Sequence, residues 1–265
     1  VGGIEMTTLA EEISDLAVRA GAPSADLTIL AEGNAAVLDK ENDRFLVKAS
    51  GVVMGEAKAE DWVWVSLSKS VEILDDAHKN GRSPALDKAL DVLLKDAFTP
   101  GGVQKKASIE TLVHVVAFHL LDSSWSLHTH PTPVVSLAAS VKAAEHYSGT
   151  VFPDESVVCG PIPLYLPYDE PGLALGLGFY AGAIKYKEQY GMNPRQIILG
   201  NHGLCTFGNG KEEALATTQI AVKAARIRLG ALTAGGINFI PNSAAQTIAF
   251  RPDEIARRAL LTGDK

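Results

Sequence analysis

The sequence predicts an α/β fold in which helices cover a mostly antiparallel sheet within one domain. Three observations lead there. Strand-like and helix-like stretches alternate irregularly, with no internal repeat and no low-complexity linker. Two of the strands follow each other across a short polar turn, the pattern of a β-hairpin. The chain has 265 residues, 46% hydrophobic and 21% charged, so it can bury a full core without charge opposing collapse.

Taken in order, residues 7–20 place Leu9, Ile13, Leu16 and Ala17 at helical spacing, with an acidic first turn, Arg19 near the end, and Gly21 and Pro23 as the stop. Ala35 to Asp39 and Arg44 to Lys48 read as the hairpin, with Lys40 to Asp43 as its turn and glycine loops at Gly33 and Gly51. Residues 61–68 alternate Val63, Val65 and Leu67 against Trp62, Trp64 and Ser66, which predicts another strand. Helices are expected over 84–97 and 107–121, the second with Ile109, Leu112, Val113, Val116 and Leu120 as its apolar face. A strand carrying His128 follows at once. Residues 137–149 read as helix, 156–168 as extended and proline-interrupted, and 172–191 as helical in the second half. Residues 195–200 form a short buried strand, and 211–232 a long alanine-rich helix opening on Glu212 and Glu213. Such a helix suits close packing against another helix or a subunit.

A formal charge of -7 argues against general nucleic-acid binding, which needs clustered Lys and Arg. The cysteines, Cys159 and Cys205, are far apart and outside any C-x-x-C pattern, so neither a disulfide framework nor a thiolate zinc site is expected. No apolar run is long enough for a bilayer and no signal segment is evident, so the expectation is a cytoplasmic protein without membrane contact. Met6 would serve as a start, and residues 1–5 are set apart as an appended remnant, leaving 6–265 as the single domain.

The chemistry concentrates in "LHTHP". Residues two apart on a strand share a face, so His128 and His130 project together, as two ligands on one ion must. With seven histidines in the chain, such a pair is equally a structural accident. His202 supplies a third nitrogen at the end of an apolar strand, between Gly200 and Gly203. Three histidines leave open positions on a zinc ion, the catalytic arrangement. Glu110 falls in the first turn of a helix leading directly into the histidine strand, so it can reach the same ion. His114, at i+4 from Glu110, reads better as a partly buried structural histidine.

These segments, in order, resemble the class II aldolase/adducin family. "GNAAVLD" is similar to its G-N-x-S segment and "LVKASG" to its strand ending in S-G. "SIET" is similar to its S-x-E, "LHTHP" to its H-x-H-P, and "LGNHGLCTFGNGKEEAL" to its N-H-G with a following E-A. Within the family, "SIETLVH" followed by "HTHP" looks most like the aldolase portion of rhamnulose-phosphate aldolase/dehydrogenase proteins. The resemblance implies a three-layer α/β/α fold with a central, mostly antiparallel sheet. It implies His128, His130 and His202 as ligands of Zn²⁺ or another divalent metal such as Mn²⁺, Co²⁺ or Mg²⁺, and Glu110 as the acid/base. Gly33, Asn34, Ser50, Gly51 and Ser108 would line the substrate phosphate site, backbone N–H groups of the two glycine loops forming an anion nest. Read alone, each of those loop residues is as well explained as part of a turn. A homotetramer with active sites at its interfaces is also implied.

Two departures are visible. Ala36 stands where the family has a serine, and Ser108 is followed by Ile109 rather than a second serine. A C-terminal tyrosine donor is missing too, the last tyrosine being Tyr190. The implied activity is a divalent-metal-dependent lyase that cleaves a carbon–carbon bond of a sugar phosphate or related hydroxy-keto compound by retro-aldol chemistry, through a metal-stabilised enediolate. Decarboxylation or epimerisation of a sugar-acid phosphate uses the same chemistry, and Tyr147, Asp154, Tyr165 and Tyr168 are candidate proton donors. The non-enzymatic alternative is an adducin-like interaction module, which is expected to lack the complete metal set.

Overall fold

The computed structural model describes residues 8–262, with side chains through residue 260. Residues 1–5 and Met6, singled out above, lie outside the described residues. The expected hairpin is present as β1 (Asn34–Asp39) and β2 (Arg44–Lys48), antiparallel with Val37 opposite Leu46. A 3₁₀ turn over Lys40–Asn42 joins them, and Asp43 takes the left-handed conformation (φ 49°) that short polar side chains tolerate. β3 (Trp62–Ser66), β4 (Trp125–Thr129), β5 (Leu164–Leu166), β6 (Gln196–Leu199) and β7 (Gly203–Gly208) complete a seven-stranded sheet in the order β3-β2-β1-β4-β7-β6-β5. Only β5 and β6 pair in parallel.

Strand alternation sends side chains into two separate cores. Phe45, Val47, Val63, Val65, Cys205 and Phe207 face one core, beneath α2 (Leu67–Asn80), α3 (Pro84–Lys95), α4 (Thr111–Leu120) and α8 (Leu173–Tyr190). Leu46, Trp62, Leu127, Ile198 and Leu204 face the second, beneath α1 (Leu9–Ala20), α5 (Thr132–Ala138) and α9 (Lys211–Thr233). This is the expected three-layer α/β/α arrangement with a mostly antiparallel sheet. The remaining helices of the described chain are α6 (Ala143–His146), α7 (Pro153–Cys159), α10 (Asn242–Ala249) and α11 (Pro252–Thr262). Among the described residues no helix is long and apolar enough to cross a membrane.

Several boundaries differ from the sequence expectation. β3 stops at Ser66, whose hydroxyl accepts the Lys69 N–H and caps α2, so Leu67 begins a helix instead of ending a strand. The 107–121 helix starts only at Thr111. Ala107 is held in an isolated bridge to Ala49, which keeps the chain extended before it. The 137–149 helix is instead two short ones, α5 beginning earlier at Thr132 after Pro131, and α6. Residues 156–159, expected to be extended, belong to α7, which Pro153 and the acidic Asp154 and Glu155 start. α8 is helical from Leu173 onward, because its first half is packed with Leu175 and Phe179 buried in the α4 core.

Candidate metal centre

Four sequence-distant side chains converge at one end of β4. His128 is the fourth residue of β4, and His130 lies just past its end, where the His130 N–H donates to Leu27 O at 2.8 Å. His202 sits in the tight turn between β6 and β7, behind Asn201 in the left-handed conformation (φ 52°). Glu110 occupies the position capping α4, one residue before the helix rather than in its first turn, and there it still meets the positive end of the helix dipole. One ligand atom from each of Glu110, His128, His130 and His202 lies within 4.8 Å of all the others.

The geometry of the donors fits a small divalent ion. His128 Nε2 is 2.9 Å from His130 Nε2 and 3.6 Å from Glu110 Oε1, and Glu110 Oε1 is 2.8 Å from His202 Nε2. Bonds near 2.0 Å to a tetrahedral ion separate adjacent ligand atoms by roughly 3.3 Å, inside this spread. The three imidazole rings stand edge to face, with centroids 4.7 to 5.0 Å apart, so their lone pairs aim inward. The Nδ1–H of His128 donates to Leu204 O at 3.0 Å, which fixes the tautomer and leaves Nε2 free for a metal. His202 Nδ1 is buried without a partner.

Glycine makes the approach possible. A Cβ at Gly203 would stand 2.4 Å from Thr129 O and 2.9 Å from His130 Cδ2, so no other residue lets β7 start this close to the histidines. At Gly33 (φ +72°) a Cβ would meet Thr28 Cγ2 at 2.5 Å and His128 O at 2.9 Å. Gly33 is therefore explained by packing against the histidine strand, without a phosphate.

The charges are strongly coupled. Burial disfavours an ionised Glu110, yet His128 and His202 overcome it and hold the carboxyl well below the usual carboxylate range. Burial together with the neighbouring His128 and His202 brings His130 down to about 3, so its lone pair is available at neutral pH. His128 is pushed the other way: burial opposes its charge, but Cys205 and Glu110 raise it.

His114, the alternative at i+4 from Glu110, does not join the group. It is fully buried behind the centre, with Nδ1 2.7 Å from Ser126 Oγ, and burial lowers it to about 3.

Of the residues expected around an anion, Asn34 and Ser108 fall beside this centre, the Ser108 hydroxyl accepting the Glu110 N–H at 3.3 Å. Asn34 in β1 stands opposite His128 in β4, fully buried, and both its Nδ2 and its Oδ1 lack a hydrogen-bond partner. An orphaned buried amide costs on the order of 1–3 kcal/mol unless something binds it. The 48–50 and 106–108 stretches run side by side and antiparallel, with Ser50 opposite Lys106 and Ser108 opposite Lys48. One expected donor is already used: the Ser50 N–H donates to Lys106 O at 2.8 Å, because that bond ties the two stretches together. The anion nest of backbone amides is reduced accordingly.

Lys48 lies near this centre, which sequence reading missed. It is 2% exposed, donates through Nζ to Ala31 O at 3.0 Å and Val52 O at 2.5 Å, and is brought down to about 8 by burial despite the attraction of Glu110. A lysine closing a strand next to "ASG" reads as a surface residue. The signal available was its place two residues before Ser50.

Among the candidate proton donors, Tyr147 is buried and donates its hydroxyl to Val134 O at 3.2 Å, and Asp154 pairs with Arg257 at 2.8 Å, so neither faces the centre. Tyr165 and Tyr168 lie nearer, against Gly200, two residues before His202.

The comparisons agree with this geometry. Residues 17–229 match the family model described as Class II Aldolase and Adducin N-terminal domain. A sequence search of the curated proteins finds no match. Among solved structures, the N-terminal class II aldolase domain of a conserved Thermoplasma acidophilum protein superposes with a TM-score of 0.63 at 21% identity, covering 86% of this chain and 97% of its own. An L-fuculose 1-phosphate aldolase superposes at 0.65 and 18% identity, covering 93% and 98%. YgbL from Escherichia coli, assigned only as an aldolase/epimerase/decarboxylase, superposes at 0.64 and 16% identity, covering 91% and 97%. At these identities the structures establish the shared fold, and the match across most of the sequence establishes the lineage: the chain belongs to the class II aldolase and adducin N-terminal domain family.

Proposed function

We propose that this chain is a divalent-metal-dependent lyase that cleaves a carbon–carbon bond of a sugar phosphate or related hydroxy-keto compound by retro-aldol chemistry. The observation that carries the reading is the convergence of Glu110, His128, His130 and His202 within 4.8 Å beside the orphaned amide of Asn34. His128, His130 and His202 would hold the ion, Zn²⁺ being the first choice for three imidazoles. A divalent ion supplies Lewis acidity toward the carbonyl and adjacent hydroxyl oxygens of such a substrate.

The rest is done by this chain's own groups. Glu110, ionised in the resting site, takes up the hydroxyl proton released as the carbon–carbon bond breaks and returns it through a carboxylate oxygen to the carbon next to the carbonyl. Asn34 offers its amide N–H groups and its amide oxygen to the substrate, with no protein partner to displace. Lys48 places an ammonium beside the loops that carry Ala31 and Val52, where an anionic terminus gains a charge-assisted hydrogen bond. The Ser50 and Ser108 hydroxyls and the Gly51 N–H complete that end. We propose 6–265 as a single working domain and a homotetramer as the assembly. Exposed Ile29 and Leu30, close in sequence to Glu32 and Asn34, support an interface near the site, which light scattering tests.

The decisive experiment is metal analysis followed by a screen of ketose phosphates and 3-oxo sugar acids, tracking dihydroxyacetone phosphate, lactaldehyde, glycolaldehyde and CO₂. Aldehyde release that requires the metal is the expected result. CO₂ without aldehyde would replace the lyase by a decarboxylase. Absence of any divalent metal after reconstitution would remove the enzyme reading in favour of an interaction module.

A further inference from the structure

A hollow of about 360 Å³ adjoins His130 and His202, with Ile29, Val135 and Ala139 as its apolar wall and Glu32, Thr132 and Ser136 as its polar one. None of Asn34, Lys48, Ser50, Gly51 or Ser108 lines it. The hollow is distinct from the proposed anion end, and it has the size of a pocket for a short chain.

Its polar groups are not equivalent. Thr132 donates its hydroxyl to Asp26 Oδ1 at 2.7 Å, and Ser136 donates its own to Thr132 O at 2.7 Å, so both protons are committed. Glu32 is divided between two tasks. Its Oε2 accepts the Ile29 N–H at 2.9 Å, which pins the side chain to its own loop. Its Oε1 has no hydrogen bond among the described residues and lies 3.9 Å from His130 Nδ1. The loop itself is anchored on both sides of Glu32: Leu27 O accepts from His130 N–H, and Ala31 O accepts from Lys48 Nζ. The result is a carboxylate oxygen held in place at the mouth of the hollow, with no partner to lose.

We propose that Glu32 is a specificity-determining residue: its Oε1 accepts a hydrogen bond from a hydroxyl on the half of the substrate that departs as aldehyde, and its charge excludes an anionic group from that half. This rests on the lyase reading and extends it. An ionised carboxylate accepts and cannot donate, so it matches a hydroxyl and opposes a second carboxylate or phosphate. The substrate class is then a hydroxylated ketose that is anionic at one end only, bound one way round, with the anion toward Lys48 and the neutral chain in the hollow. Rejection by an unfavourable charge is a recurrent means of specificity.

The test uses the Co²⁺-substituted full-length protein and two probes with the same metal-binding head, acetohydroxamate and the monohydroxamate of succinic acid, which adds a distal carboxylate. Binding is read from the visible cobalt spectrum for the wild type, E32Q and E32K. Glu32→Gln preserves an oxygen to accept the Ile29 N–H, so the loop is kept while the charge is lost. The wild type should favour the neutral probe, on the order of tenfold from a like-charge contact; E32Q should narrow the ratio and E32K should reverse it. The same ratio in the wild type and E32K would overturn the inference. The aldol screen, run on the same preparations, separates this from the function: turnover with an unchanged ratio leaves the lyase and removes the role of Glu32, whereas a shifted ratio without turnover does the opposite. Protein that takes up no cobalt overturns both.

Discussion

Two of the buried charged clusters among the described residues are built in opposite ways. Arg228 and Glu155 pair at 2.8 Å, each side chain 1% exposed. Arg228 also donates to His146 O and Gly149 O, and Glu155 accepts the Val151 N–H. Every strong group there has a partner. Around Glu110 and the three histidines, by contrast, both polar atoms of Asn34, His202 Nδ1 and Thr129 Oγ1 are buried with none. A saturated cluster is stable because breaking it strands a charge, whereas an unsaturated one is costly until something binds. Unspent hydrogen-bonding capacity gathered around four potential ligands marks the site.

That contrast can be broken at either end. The largest effect is expected at the centre: His130→Ala should lose stoichiometric metal and cut turnover by on the order of 10³-fold or more, since the Lewis acid goes with the ligand. Its circular dichroism should match the wild type, and unchanged activity would remove this site from the reaction. Arg228→Ala should cost about 3–5 kcal/mol in urea denaturation by leaving Glu155 unpaired, with metal content per folded molecule unaltered. A loss below about 1 kcal/mol would show that the pair is not the structural anchor drawn here.

Lys48→Met comes next, raising KM for an anionic substrate roughly 10- to 100-fold, as expected for a lost hydrogen bond to a charged group. Lys48 also links pH to both binding and stability. It is brought down from 10.5 to about 8, so anion affinity should weaken as pH rises through about 8. For stability the sign is reversed. Between about 8 and 10.5 the folded chain has released a proton that the unfolded chain retains, so unfolding takes up a proton and stability gains with rising pH across that window. Denaturation of the wild type and K48M as a function of pH checks this, and identical slopes would refute it. The smallest effect belongs to Tyr147→Phe. Its hydroxyl serves only Val134 O, so the expected cost is about 0.5–1.5 kcal/mol of stability with turnover unchanged; a tenfold loss of kcat would restore Tyr147 as a proton donor.

Much of this was legible in the sequence where one local pattern sufficed. The hairpin at 34–48, the apolar strand before His202 and the long helix ending in the 230s follow from periodicity and turn chemistry. The shared face of His128 and His130 follows from spacing, whereas Glu110, expected in the first turn of a helix, stands one residue ahead of α4. What escaped depended on tertiary context. Leu67 continues the alternation of β3 but serves the helix that Ser66 caps. The glycines at the start of α8 suggest a break, yet the packed α4 face overrides them. Lys48 becomes a site residue only through burial, and Glu32 only through a hollow assembled from α5 and the 26–33 loop, neither of which spacing reveals.

The four donors also constrain the order of events during folding. Glu110 and His202 are 92 positions apart, and the histidines meet only when β4 has paired with β7. No local segment carries more than the His128–His130 pair, so the unfolded chain would be a poor chelator and an ion held there would arrive after long-range strand pairing, the slow part of such topologies. Nearly all of its binding free energy would therefore stabilise the completed fold. Removing the ion should lower the melting temperature of the whole molecule, while the rate at which the chain first folds stays independent of metal.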